Sequence, residues 1–317
     1  MVLLFLLLFL IGLTLLASYY CYRFTFYAKP KAPLGPDEYD IPRGRIYEPH
    51  RDTMIGWMKE VRKLPHQEVF ITSFDGLKLA GTYYQWAPGA VTELMFHGYR
   101  GSAERDLCGG VHRAFSLGHN VLIVDQRTSC RSQGSTITFG INEHRDCLSW
   151  IDFAIDFLGK DCRLILTGIS MGASTVLMAA GKELPENVVG VLADCGYHSA
   201  KEIIQKCSRQ LHLPAKLVYP FIKLGARLFG HFDLEEYSPI EAMKTIKVPV
   251  IFFHGDADTF VPWEMSRENF NACAAPKRLV LISGAGHGLA YIMDPDRYLR
   301  EMAEFFTANG VPTQVEA

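Results

Sequence analysis

The 317-residue chain lacks the signatures of several function classes. Its eight cysteines (Cys21, Cys108, Cys130, Cys147, Cys162, Cys195, Cys207 and Cys273) contain no C-x-x-C pair. In a chain of this length that pattern predicts reduced, mostly buried thiols rather than a disulfide framework. The eleven histidines include no H-E-x-x-H or other tight ligand spacing, so no metal site is expected. Neither G-x-G-x-x-G nor G-x-x-x-x-G-K-[ST] occurs, which removes the usual phosphate-cradling loops; no cofactor is called for. The formal net charge is only −2, with acids and bases interspersed, so the basic stripe of a nucleic-acid binder is missing. There is no internal repeat, and no low-complexity tract beyond the first fifty residues. Finally, no Lys or Arg precedes the first apolar run, and "LASYYC" is a poor cleavage site, which argues against a secretory signal peptide.

That apolar run is the first positive feature. Val2 to Ala17 is broken only by Gly12 and Thr14, and with Ser18 to Tyr22 it reaches the ~20 residues that a helix needs to cross hydrocarbon. Tyr19, Tyr20, Tyr22, Phe24, Phe26 and Tyr27 suit an interfacial aromatic belt. Residues 1–22 therefore read as an uncleaved transmembrane anchor. Arg23, Lys29 and Lys31 lie just after it, so the positive-inside rule puts the C-terminal part on the cytoplasmic side of a single-pass protein. Residues 23–65 read as a stalk, rich in proline and charge ("AKPKAPLGPDEYDIPRGR"), ending in a juxtamembrane helix that either packs on the domain or lies near the membrane. Asp52 or Thr53 is the expected cap of that helix, and Met54, Met58 and Val61 share its apolar face.

From residue 66 to 317 the pattern is that of one α/β domain. "QEVFITSFDGLKLAGTYYQW" predicts a hairpin around Asp75-Gly76. Strand signals follow at "VTELMFH", "NVLIVD", "RLILTG", "VVGVLAD", "VPVIFFHG" and "RLVLIS". Helical periodicity lies between or after them at Ser102–Leu117, Asn142–Phe157, Met171–Lys182 and Pro295–Phe306. An initial hairpin followed by strand–helix alternation predicts a mostly parallel sheet covered by helices on both faces. About fifty residues break the alternation, at roughly 198–246, and read as a helical cap insertion over the carboxyl ends of the strands.

Gly168-Ile169-Ser170-Met171-Gly172 fits G-x-S-x-G between a strand and a helix of small residues. A nucleophile at the apex of so sharp a turn takes an unfavourable backbone conformation, and flanking glycines remove the side chains that would clash. A lone serine needs a base. His287, in "SGAGHGLAY" after the last strand, can supply it. An orienting acid is available in "FHGDADTFVP", where Asp258 is placed to reach the histidine and Asp256 is the alternative, more suited to a turn. The order Ser170, Asp258, His287 is the hydrolase order. In "FHGYRGS" the N–H of Tyr99, with that of Met171, can form an oxyanion hole; Arg100 and Gly101 shape the loop.

With these motifs in place, the sequence resembles the α/β-hydrolase superfamily over about residues 66–309, through "HGYRGS", "VDQRTSCRSQG", "GISMGAS", "HGDADTFVP" and "GAGHG". It is most similar to the membrane-anchored bacterial hydrolases of the serine-aminopeptidase-like group, whose eukaryotic relatives include anchored lipases and depalmitoylases. The resemblance implies Ser170 as nucleophile, Asp258 as acid, His287 as base, and cofactor-free acyl transfer to water. Relatives carry a glycine-rich run where this chain has Thr128, Ser129 and Cys130, and Asp125 and Arg127 beside it are expected to form a structural ion pair. The expected substrate is a small or acylated carboxylic ester or thioester; the apolar stretch "LPAKLVYPFIKLGARLFGHF" of the cap is read as holding an acyl chain, facing the bilayer, or only sealing the cap onto the core. A peptidase or amidase, or a catalytically silent membrane-tethered binding module, are the rival readings.

Overall fold

The computed structural model describes residues 1–311 and 313, so the expected domain end at residue 317 lies outside the described residues. In chain order the elements are α1 (Val2–Thr25), α2 (Arg51–Lys63), β1 (His66–Thr72), β2 (Lys78–Tyr84), β3 (Thr92–Phe96), α3 (Ala103–Ser116), β4 (Asn120–Asp125), α4 (Glu143–Leu158), β5 (Leu164–Ile169), α5 (Met171–Ala180) and β6 (Val188–Asp194). Between β6 and the next strand lie α6 (Ala200–Gln210), α7 (Ala215–Phe229) and α8 (Pro239–Met243). After them come β7 (Val250–Gly255), α9 (Trp263–Ala272), β8 (Lys277–Ile282), α10 (Ala290–Met293) and α11 (Pro295–Ala308).

The eight strands form one sheet in the order β1-β2-β4-β3-β5-β6-β7-β8. The β1–β2 hairpin pairs antiparallel and β2 joins β4 antiparallel; every other pair is parallel. Strand alternation divides the core in two. Leu94, Phe96, Leu166 and Phe252 bury against α4, α5 and α8, whereas Met95, Ile165, Leu192 and Phe253 bury against α2, α3 and α11. Met54, Met58 and Val61 of α2 are buried as a single face. Its start differs from expectation: a 3₁₀ turn at Glu48–His50 runs directly into the helix, so neither Asp52 nor Thr53 caps it, and Asp52 sits in the first turn. There its charge favours the helix dipole.

α1 is long and apolar enough to cross a membrane. Its last turns are part of the folded domain. Gly225 of α7 lets that helix approach closely: a Cβ there would lie 2.4 Å from the Ser18 carbonyl oxygen. Phe26 is fully buried, edge-on to Phe139 and Phe232. The chain then pairs with residues 135–137, through Ala28 N–H to the Ser135 carbonyl (3.0 Å) and Ile137 N–H to the Phe26 carbonyl (2.8 Å). Of the segment read as a stalk, Phe26, Ile41 and Tyr47 are thus buried. The physical reason is that Phe26, with Tyr22, finds an apolar surface on α7 and the loop before α4, whereas Ile41 and Tyr47 pack with α2 and α3; Tyr19, Tyr20 and Phe24 stay exposed.

The expected Asp125–Arg127 pair is not formed. Arg127 grips Asp146 of α4 with two bonds of 2.7 Å and Asp75 of the hairpin turn at 3.0 Å, while Asp125 pairs with Arg131 at 3.0 Å. Two residues beyond Asp125 the chain has turned, and Arg127 reaches toward α4 instead.

Candidate active site

Ser170 sits at the C-terminal end of β5, immediately before α5, with φ +57° and ψ −119°. An L-residue rarely adopts this conformation, and it costs of order 1–3 kcal/mol unless its surroundings enforce it. The glycines explain how it is enforced. A Cβ on Gly168 would lie 2.2 Å from the Gly172 carbonyl oxygen, and one on Gly172 would lie 2.1 Å from the Phe96 carbonyl oxygen. Helix α5 can therefore press against β5 and the end of β3 only with glycine at both positions.

A continuous hydrogen-bonded chain leads away from this serine. Ser170 Oγ lies 2.9 Å from His287 Nε2, and His287 Nδ1 lies 2.7 Å from Asp258 Oδ2. The other oxygen of Asp258 accepts the N–H groups of Phe260 and Val261 at 2.8 and 2.9 Å. Burial alone would raise this carboxyl, but hydrogen bonds from His254 and His287 hold it well below the usual carboxylate range. It therefore stays ionised and can support a positive imidazole. Asp256 accepts the Gly284 N–H at 2.7 Å, tying the histidine loop to the acid loop. Such a relay can take the hydroxyl proton of Ser170 onto the imidazole.

Tyr99 lines the same cavity as Ser170, in a turn closed by Gly101 N–H to the Gly98 carbonyl. Gly98 is beside the serine, since a Cβ there would meet Ser170 Cβ at 3.4 Å. Met171 is the first residue of α5. Among the described residues neither the Tyr99 nor the Met171 N–H donates elsewhere, so both remain available to a developing negative charge. Asp106, held by Arg105 at 2.7 Å, accepts the Gly98 N–H and braces the turn.

Two supporting residues lie outside the sequence motifs. His254 is completely buried on β7; its Nε2 lies 3.2 Å from Asp258 Oδ2 and 2.9 Å from the Val261 carbonyl, and its Nδ1 faces Ser266 Oγ at 2.7 Å. Its position four residues before Asp258, at a strand end, was the available signal. Tyr47, within the proline-rich stretch, donates its hydroxyl to the His287 carbonyl at 3.0 Å. Nothing local in the sequence marks it. Cys195, Asp258 and His287 place ligand-type atoms within 4.8 Å of one another. Both nitrogens of His287 are engaged and burial pushes the Cys195 thiol well up, so this set suits proton transfer better than metal ligation.

The cavity at Ser170 measures about 570 Å³ and runs under α2 along the sheet face. Met54 and Trp57 of α2, Ile46 and Tyr47 before it, and Leu192 and Ile292 are among its walls. None of the described residues lining it comes from 198–246; the apolar side of α7 is used on α1 instead.

The family model described as "alpha/beta hydrolase fold" matches residues 94–228. Among curated proteins, the chain is 26% identical over 196 residues to uncharacterized protein YqkD of Bacillus subtilis, covering 62% of this chain and 64% of that protein, just under two thirds of its length. It is 25% identical to uncharacterized protein YfhR of Escherichia coli over 250 residues, covering 75% and 80%. Among solved structures, the Pyrococcus furiosus esterase Pf2001 superposes with a TM-score of 0.66 at 20% identity, over 89% of this chain and 98% of that one. The Pyrococcus horikoshii acylaminoacyl peptidase gives 0.54 at 16%, over 81% and 44%. With the strand order and the serine turn described above, these matches establish that the chain has the α/β-hydrolase fold and support its place in that superfamily.

Proposed function

We propose that the protein is a serine hydrolase that cleaves a carboxylic ester or thioester through an acyl-enzyme, as the resemblance to membrane-anchored serine-aminopeptidase-like hydrolases implies. The observation that carries this reading is the hydrogen-bonded line from Asp258 through His287 to a serine in a left-handed turn. Ser170 Oγ attacks the carbonyl carbon while its proton passes to His287 Nε2. The C=O electron pair moves onto oxygen, which rests on the N–H groups of Tyr99 and Met171. The intermediate then collapses; the alkoxide or thiolate leaves and takes the proton from the imidazolium. Water repeats the sequence on the acyl-enzyme, releasing the acid and restoring Ser170. Asp258 holds the Nδ1–H tautomer throughout. The apolar walls of the cavity support an acyl chain as the group bound there, and α1 is read as a membrane anchor with the domain on the cytoplasmic side.

A fluorophosphonate probe tests the reading. The folded wild-type chain is expected to label and Ser170→Ala to lose both labelling and about 10⁶-fold in kcat. Folded wild-type protein that does not label would overturn it in favour of a binding module. Turnover of ester and thioester series from acetyl to long acyl chains, set beside aminoacyl amides, then separates esterase from peptidase chemistry. A preference for amides, or none for longer acyl groups, removes the acyl-ester assignment.

A further inference from the structure

The end of α1 is fastened to the turn that carries one of the two oxyanion N–H groups. A helix leaves its last carbonyls without intrahelical partners, and something must satisfy them. Here the partners come from the two central residues of the Gly98–Gly101 turn. The Tyr99 hydroxyl donates to the Thr25 carbonyl at 2.7 Å. Arg100 Nη2 donates to the carbonyls of Phe24 and Tyr27 at 2.9 and 3.0 Å. Arg100 Nε donates to the Tyr99 hydroxyl at 2.8 Å, closing the set.

Two further facts show that the turn needs this support. Arg100 stands at φ +53°, a left-handed conformation in a residue that is not glycine. Such a position persists when neighbouring contacts over-determine it. The bonds from its guanidinium to α1 and the following residues are contacts of that kind. The Tyr99 ring also lies 5.1 Å from Phe139, whose ring meets the buried Phe26 edge-on at 5.8 Å. The turn is thus clamped through hydrogen bonds and through aromatic packing, both ending on residues 24–27.

We infer that the last turn of the apolar helix α1 is a positioning element of the active site, and that the Tyr99 and Arg100 side chains transmit its placement to the Tyr99 N–H. This rests on the hydrolase reading above. An N–H displaced by about 1 Å from the oxyanion costs on the order of 100-fold in rate, while contacts to the acyl group elsewhere in the cavity are unaffected. Loosening the clamp should therefore lower kcat and spare KM.

The test uses the full chain in lipid nanodiscs, with active sites counted by exhaustive fluorophosphonate labelling so that rates refer only to folded protein. The double variant Tyr99→Phe/Arg100→Met is expected to lose about 10–100-fold in kcat with KM within about 3-fold, and to bind an acyl-matched boronic acid correspondingly more weakly. The boronate reports the oxyanion site, whereas the product carboxylic acid serves as a control for acyl binding. Arg100→Lys, which keeps a donor in reach of the carbonyls, should recover part of kcat. Phe26→Ala leaves both turn residues intact and should reproduce the kcat loss by releasing the helix end. A kcat per labelled site within about 2-fold of wild type in both the double variant and Phe26→Ala overturns the inference, as does a loss confined to thermal stability. Either result leaves the hydrolase reading standing, since that reading falls only if the wild-type chain itself fails to label.

Discussion

The turn at Gly168–Gly172 and the turn at Gly98–Gly101 face the same cavity, yet they are made in opposite ways. The first is signalled within five residues: two glycines, Gly168 against Gly172 and Gly172 against the end of β3, allow a close approach that any Cβ would prevent. The second depends on distant chain, being braced by Asp106 of α3, by the Ser129 hydroxyl donating to the Gly101 carbonyl at 2.8 Å, and by the end of α1. A site can therefore have a locally encoded nucleophile and a tertiary-encoded surrounding. The two should respond differently to substitution.

The largest effect is expected in the relay that starts from the serine turn. Asp258→Asn keeps the shape but removes the charge and favours the wrong tautomer of His287, so kcat should fall about 10⁴-fold with little change in fold by circular dichroism. Gly172→Ala attacks the turn itself. With a methyl 2.1 Å from the Phe96 carbonyl oxygen, stability should drop by more than about 3 kcal/mol, measured by urea unfolding; a near-neutral result would mean that α5 can shift and the comparison is wrong. In the long-range half, Tyr47→Phe removes one hydrogen bond to the His287 backbone and should lower kcat about 3–10-fold, equivalent to about 1 kcal/mol, with the full labelling yield retained. The smallest expected change is a gain. Thr128 sits at φ +72°, where its β-branched side chain is strained, so Thr128→Gly should stabilise the domain by roughly 0.5–1 kcal/mol in thermal unfolding. If it destabilises instead, the left-handed turn is held by the threonine side chain and not in spite of it.

The same division decides what could be learned from the sequence. The strand–helix alternation, the Asp75-Gly76 hairpin and the helical stretch from Ser102 are local signals, and the structure has each of them. The convergence of Ser170, Asp258 and His287 was legible as motifs at strand ends, because the parallel order brings those ends to one edge. Thr128 and Cys130, where the resemblance implies a glycine-rich run, both have positive φ, the backbone region that glycine adopts most readily. Other features left no local trace. Tyr47 lies in a stretch whose prolines and charges resemble a solvated linker, and its burial depends on a cavity formed by elements far along the chain. The aromatics at 19–27 carry the pattern of a membrane interface, and only the fold shows Phe26 enclosed by Phe139 and Phe232. Likewise the apolar periodicity of α7 gave no means of telling which surface it would cover; it covers α1.

The contact of Gly225 with the Ser18 backbone has a mechanical consequence. A tether joined by a flexible spacer would let a domain swivel freely over a bilayer. Here the end of the helix packs directly on the globular body through α7. With α1 read as a span, any inclination it takes up to match hydrocarbon thickness is passed on to the body, so bilayer thickness would set the angle at which the cavity mouth meets the lipid surface.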